Sequence, residues 1–421
     1  VNARRSQGRR SRLAAALAVG ALAALAPLLS VDCASGLPAV RALDASTPEG
    51  ATAASNAFGF DLYARVKRDD STLICSPFSA AVALNMASAG ARGPTREQML
   101  RVLRVDPQHA AETHASFGGL LGQLNARNRT GDVELHVADR LWGQSGVLFR
   151  PDFLALLRDS YRAPLEAVDF ANAPEVARTA VNKWVSAQTH DRIPEILGAG
   201  DVDRSTRLVL TNAVYFEGDW ENPFDDRATR PRLFSGGSGG RYVPIMAQED
   251  SFAYLRDGDI QVIELTYRGD LSMVVVLPDG AGDLPAVERK LADHYAGWVG
   301  ALRRAPVDLW LPRWTSRSRL DLRVPLQAAG MRLAFTPDGD FSGTSEVPLF
   351  IDKVAQEAFI AVNERGTEAA AATAVIETTV SEEQSLVKPK IFHADHPFLY
   401  LLRDRKTGAV LFLGRVAALG G

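Results

Sequence analysis

Apolar positions recur at helical spacing in the first half of the chain and at strand spacing in the second. In NAFGFDLYARV, residues 56–66, Phe58, Leu62 and Val66 return every fourth position and predict an amphipathic helix. In CSPFSAAVALNMASAGARGPTREQML, which opens at Cys75, Ser76 is an N-cap candidate, Pro77 takes the first helical position and Gly90 supplies a stop. Thr95 and Gln98 have the spacing of a capping box for the helix that follows. RLVLTNAVYFEGDW, residues 207–220, is almost continuously apolar, as a strand buried on both faces should be. LSMVVVLPDG (271–280), VDLWLPRW (307–314) and EAFIAVNERG (357–366) read as further strands, and residues 396–416 as a hairpin turning at Lys406–Gly408. With no repeat and no internal linker, the pattern predicts an α+β chain. Its parts are an N-terminal segment 1–34, an Ala/Ser/Thr/Pro/Gly-rich flexible linker 35–53 and a single domain 54–421.

Charge narrows the partners. The 421 residues carry a net charge of −3, so there is no basic excess to neutralise phosphates and no nucleic-acid partner is expected. Arg4, Arg5, Arg9, Arg10 and Arg12 precede an apolar run from Leu13 to Val31, the layout of a secretory signal or an N-terminal anchor. Export is therefore expected, to the outside or the cell envelope, with no other membrane segment. Arg9-Arg10 weakly matches a twin-arginine signal, and the preference for Arg over Lys suggests a bacterial gene. Cys33 is a candidate lipid-attachment residue, although Asp32 fits that cleavage site poorly. With Cys75 as the one other cysteine, no disulfide framework can be built, and Cys75 is expected as a small buried hydrophobe.

Catalytic chemistry finds little footing. Gly236–Gly240 formally matches a nucleophile elbow around Ser238, but no helix follows, so a hairpin tip is the better reading. His393 and His396 flank the start of a strand rather than sharing a helix face, and the remaining histidines are scattered. There is no zinc-protease motif, phosphate-binding loop or dinucleotide fingerprint. Neither an enzyme, a metal nor a cofactor is expected.

NERGTEAAAATAVIETTVSEEQ, residues 363–384, is the unusual stretch. By propensity its four alanines favour helix, yet it follows one strand through Gly366 and precedes another. The chain resembles the serpins, the serine protease inhibitors, over residues 54–416. The matching pieces, in the family's order, are NAFGFDLY, CSPFSAAVALNMASAGARGPT, YRAPLEAVDF, VNKWVSAQT, LTNAVYFEGDW, LSMVVVLP, LPRW, GMRLAF, DFSG, FIAVNERGTEAAAATAV and HPFLYLLRD.

The resemblance implies three β-sheets, one of them a large central sheet, about nine helices, and an exposed reactive-centre loop over roughly 364–390. It implies a suicide inhibitor, a monomer that traps an acyl-enzyme by inserting this loop into the sheet. The hinge would be Glu364, Gly366, Thr367, Glu368, Ala369, Ala370, Ala371 and Ala372, where alternate residues are small enough to enter a sheet core. Counting fourteen residues from Gly366 places the reactive bond at Val380–Ser381. An uncharged Val380 implies an elastase-like serine protease, with subtilisin-like and chymotrypsin-like enzymes as alternatives and cysteine proteases behind them. Ser76, Asn212 and Gln356 match the polar cluster where the sheet opens, with Gln356 standing where a histidine is common. Trp220 matches the tryptophan under the point of insertion, and Glu364 with Arg313 a charge pair there, in which Arg can hold the carboxylate bidentately. A non-inhibitory carrier or chaperone-like binder on the same fold is the alternative.

Overall fold

The computed structural model describes residues 41–68, 71–126, 133–236, 239–367 and 388–419. These residues form eight α-helices and fifteen strands, against the roughly nine helices expected. They lie in one unit, Val40–Gly421. Six strands form a central sheet in the spatial order Trp314–Asp321, Lys353–Val362, Gly366–Thr367, Leu208–Asp219, Val133–Gln144, Glu166–Val168. The other nine join in a second sheet because one long strand, Gly239–Asp257, pairs with Arg230–Gly236 at its start and Ile260–Thr266 at its end. The second and third sheets expected from the sequence are thus linked through this strand.

The Leu208–Asp219 strand is buried on both faces, as its apolar run predicted. Period-2 alternation divides its side chains between two cores. Leu208, Leu210, Val214 and Phe216 face the main core, which they share with the Pro77–Ser88 helix. Val209 and Ala213 face a smaller cluster with Val181 and Val185 of the Pro174–Gln188 helix. Every residue of Pro77–Ser88 is buried, so this helix runs through the middle of the protein rather than over its surface.

Two local expectations give way to tertiary structure. Residues 48–53, read as linker, are already helical, because the Thr47 side chain accepts from Gly50 N and Pro48 starts the helix Pro48–Val66. Thr95 and Gln98 form no capping box. Arg92 is the N-cap of Gly93–Val102, without a side-chain bond. Thr95 Oγ1 instead accepts from Asp340 N at 2.9 Å, and Gln98 Oε1 from Arg332 N and Leu333 N, also at 2.9 Å. Both side chains stitch a distant loop to the helix.

Candidate functional site

Lys353–Val362 and Leu208–Asp219 run parallel and are paired from Lys353↔Val209 to Phe359↔Tyr215. Beyond that rung they part, and Gly366–Thr367 lies between them, with Thr367 opposite both Val362 and Gly218. A chain that turns back after Val362 therefore already occupies the mouth of a seam between two strands. Gly366 is required at this turn. A Cβ there would sit 2.0 Å from Gly218 O, a backbone atom that cannot move aside.

The side chains predicted to lie at this mouth meet there. Thr367 is fully buried, and its hydroxyl lies 2.7 Å from Tyr267 Oη. Tyr267 stacks on Trp220, with ring centroids 4.1 Å apart, and meets the edge of Phe216. Trp220 Nε1 donates to Asn363 O at 3.0 Å, and its backbone N–H to Arg365 O at 2.7 Å. Glu364 is 3% exposed, and its Oε1 accepts from Arg313 Nε at 2.7 Å and lies 2.5 Å from Arg313 Nη2. Both guanidinium nitrogens thus converge on one oxygen, which also accepts from the Thr229 hydroxyl, rather than forming the expected two-oxygen fork. Neither Tyr267 nor Thr229 stood out in the sequence. Both come from segments whose spacing says nothing about this corner.

Lower in the seam, Gln356 and Asn212 are register partners. The Gln356 amide donates to Asn212 Oδ1 and, at 2.9 Å, to Ser76 O, while Gln356 Oε1 accepts from Ser76 N at 3.0 Å. Ser76 caps the central helix as predicted, and its hydroxyl donates to Leu411 O at 2.7 Å. The Gln356–Asn212 bond crosses the seam, and through it the three predicted residues join in one hydrogen-bonded network. The cluster extends to two residues that sequence reasoning missed. Asn212 Nδ2 donates to Ser79 Oγ and Asp139 Oδ1, and Ser79 Oγ donates to Asp139 Oδ1 at 2.7 Å. Among the described residues no cation pairs with the Asp139 carboxyl, and its Oδ2 has no hydrogen-bond partner. Burial pushes its pKa up to about 8, against the relief that the Ser79 and Asn212 bonds supply. At neutral pH this group is mainly a neutral acid.

Glu368, Ala369, Ala370, Ala371, Ala372, Val380 and Ser381 lie outside the described residues, as do Cys33 and Ser238. Gly236 pairs with Gly239 in an antiparallel ladder, and the described chain from Gly239 onward is strand, not the helix that a nucleophile elbow needs. His393 stacks on Trp310 at 3.6 Å and bonds Asp308, while His396 bonds Asp395 and Pro278 O. Cys75 is fully buried, and its thiol pKa is pushed up to about 12 by burial, which leaves it unreactive. No helix among the described residues is long and apolar enough to cross a membrane.

The family model described as Serpin (serine protease inhibitor) matches residues 53–419. The leukocyte elastase inhibitor of Sus scrofa is 37% identical over 384 residues, covering 88% of this chain and all of that protein. Among solved structures, uncleaved ovalbumin superposes with a TM-score of 0.79 at 28% identity, covering 87% of this chain and 99% of its own. Human thyroxine-binding globulin complexed with thyroxine gives a TM-score of 0.79 at 27% identity, covering 88% and 99%.

Proposed function

The chain belongs to the serpin family, and from that premise we propose that it is a suicide inhibitor of serine proteases, with elastase-like enzymes as its targets. The observation that carries this reading is the position of Thr367, wedged between Val362 and Gly218 at the top of a seam that is otherwise paired. Insertion of the residues that follow has its first rung already made, so it needs propagation rather than nucleation.

The chemistry belongs to the protease. Its nucleophile attacks the Val380 carbonyl carbon, the bond to Ser381 breaks, and the new amine end leaves while Val380 stays acylated to the enzyme. The freed hinge, Glu368 through Ala372 and beyond, then zips down between Lys353–Val362 and Leu208–Asp219. A dozen new ladder bonds at about 0.5–1.5 kcal/mol each amount to on the order of 10 kcal/mol, available to drag and distort the attached enzyme before water completes hydrolysis. The small side chains at the alternate positions Thr367, Ala369 and Ala371, with no Pro from Thr367 to Ala372, support fast passage. The resemblance to a protein named leukocyte elastase inhibitor agrees with the uncharged Val380. Export rests on the Arg-rich apolar N-terminal segment alone.

The thyroxine complex of a structural neighbour gives the carrier reading its support. Against it, Thr367, Ala369 and Ala371 are small at every alternate hinge position and no Pro interrupts them, a composition that a carrier has no need to keep. Incubation with pancreatic elastase, followed by denaturing electrophoresis and mass spectrometry, separates the readings. An inhibitor gives an SDS-resistant band at the summed mass and cleavage after Val380. A chain that is only digested, or ignored by elastase, subtilisin and chymotrypsin alike, is not this inhibitor.

A further inference from the structure

Glu134 and His136 lie two residues apart on the Val133–Gln144 strand, and so on the same face of the central sheet. In the register with Leu208–Asp219 they stand opposite Glu217 and Tyr215. The chain that leaves the Pro174–Gln188 helix passes over this patch. Buried Thr189 anchors it, its hydroxyl donating to Val185 O at 2.9 Å and accepting from Ile193 N at 3.1 Å. Asp191 closes the turn through Ser186, with Asp191 N donating to Ser186 O at 2.8 Å and Ser186 Oγ to Asp191 Oδ1 at 2.6 Å. Between these anchors His190 adopts φ 49°, a left-handed conformation uncommon for a side chain of its size. Its ring centroid lies 5.0 Å from that of His136, and its Nε2 lies 3.9 Å from Glu134 Oε2.

We propose that Glu134, His136 and His190 form a binding site for a zinc-class divalent cation that fastens this segment to the sheet. One donor atom from each of the three lies within 4.8 Å of the others. Two imidazoles and a carboxylate form a nitrogen/oxygen set suited to Zn²⁺, with three protein ligands and a fourth position left to water. Ligand bonds of about 2.0–2.2 Å in a tetrahedron require donors roughly 3.3–3.5 Å apart, so the set has to draw in slightly. His190 can do this, since its side chain is 55% exposed.

A further observation points to a cation. Glu134 and Glu217 face one another directly across an antiparallel pair, a like-charge arrangement that is unfavourable without a counter-charge. Tyr215 Oη donates to Glu217 Oε2 at 2.6 Å, which holds that carboxylate in place beside the patch.

The far end of the same segment is tied across the seam. Arg317 Nη2 donates to Arg192 O at 2.5 Å while its Nε donates to Glu357 Oε1 at 2.8 Å, and Arg319 reaches Glu195 O. Ile193, Ile196 and Leu197 pack in one cluster with Ala138, Ala213 and Ala355, which come from strands on both sides of the seam. Residues 190–197 therefore form a strap across the seam, and the cation holds its near end. This inference does not depend on the chain being a protease inhibitor.

The test is calorimetric titration of the full chain with ZnCl₂ in metal-free buffer at pH 7.5. The site predicts saturable one-to-one binding, weakened at least about tenfold by His190→Ala and by His136→Ala. His294→Ala, whose ring stacks on Trp298, should leave the binding unchanged. His190 is exposed, so its variant should keep the metal-free unfolding midpoint. Hydrogen exchange supplies a second readout, with Zn²⁺ slowing amide exchange over residues 190–197 in the parent and not in His190→Ala. Absence of saturable binding, or binding that survives both substitutions, overturns the site.

Discussion

Replacing Asp139 by Asn removes one ionisation from the buried network under the seam and nothing else of consequence. The Asn carbonyl takes the place of Oδ1, which accepts from Ser79 and Asn212, and the amide takes the place of the unpartnered Oδ2. The variant thus imitates the neutral acid. In the unfolded chain the carboxyl titrates near 3.9, whereas in the folded protein burial holds it at about 8. The folded state therefore binds the extra proton between those values. The stability this group contributes is complete below the unfolded value and is lost as pH rises through about 8. At about 1.4 kcal/mol per unit, the loss is on the order of 4 kcal/mol at pH 7, or about 2 kcal/mol where the surroundings relax around the charge. An entropy of unfolding of about 0.8 kcal/mol/K for a domain of this size converts this to roughly 3–5 °C. Unfolding midpoints followed by circular dichroism from pH 4 to 9 give the comparison. Parent and variant should coincide near pH 4 and diverge steadily, with Asp139→Asn the more stable at pH 8 to 9. Parallel curves, or an Asn variant less stable at high pH, would refute a buried neutral acid at this position.

The corner at the mouth of the seam gives three more expectations. Thr367→Arg places a charge where the parent hydroxyl is fully buried against Tyr267; SDS-resistant complexes should vanish while cleavage by the target continues, and undiminished complex formation would contradict the hinge assignment. Arg313→Ala strips the buried Glu364 carboxylate of its cation and should cost about 2–3 kcal/mol, less than a fully buried pair because the Arg313 side chain is 44% exposed. Urea unfolding checks this, and the double variant with Glu364→Gln should recover part of the loss. Trp220→Ala, which removes the stack on Tyr267 and the bond to Asn363 O, should cost about 3–5 kcal/mol by the same assay.

Much of this architecture was legible in the residues. The apolar run 207–220 announced a doubly buried strand because it contains neither face of a surface pattern. Ser76-Pro77 announced its helix because capping is a local property. The turn at Gly366 was legible because a strand that ends at a glycine can fold straight back on itself, as Thr367 does opposite Val362. What escaped notice depends on meetings that no local pattern encodes. Thr95 and Gln98 carry a capping signature, but loops some 235 residues away compete for both side chains and win. Asp139, in HVADRLW, reads like any solvated strand aspartate until the Pro77–Ser88 helix covers that face. Glu134 and His136 show half of a site in their alternation. His190 joins them only because the helix before it ends where it does. The linker boundary at 53 failed for a compositional reason, since a helix that begins PEGATA looks like a linker until its cap is recognised.

The central claim, that the segment after Thr367 enters the seam as a strand, is tested most directly by cleaving the chain once within residues 368–387 with a protease it does not trap. Unfolding midpoints of the intact and cleaved protein are then compared. A dozen added ladder bonds, on the order of 10 kcal/mol, predict a rise of about 12 °C or more for the cleaved form. Equal midpoints after verified cleavage would mean that the freed segment stays out of the sheet, and the inhibitory mechanism would fall with it.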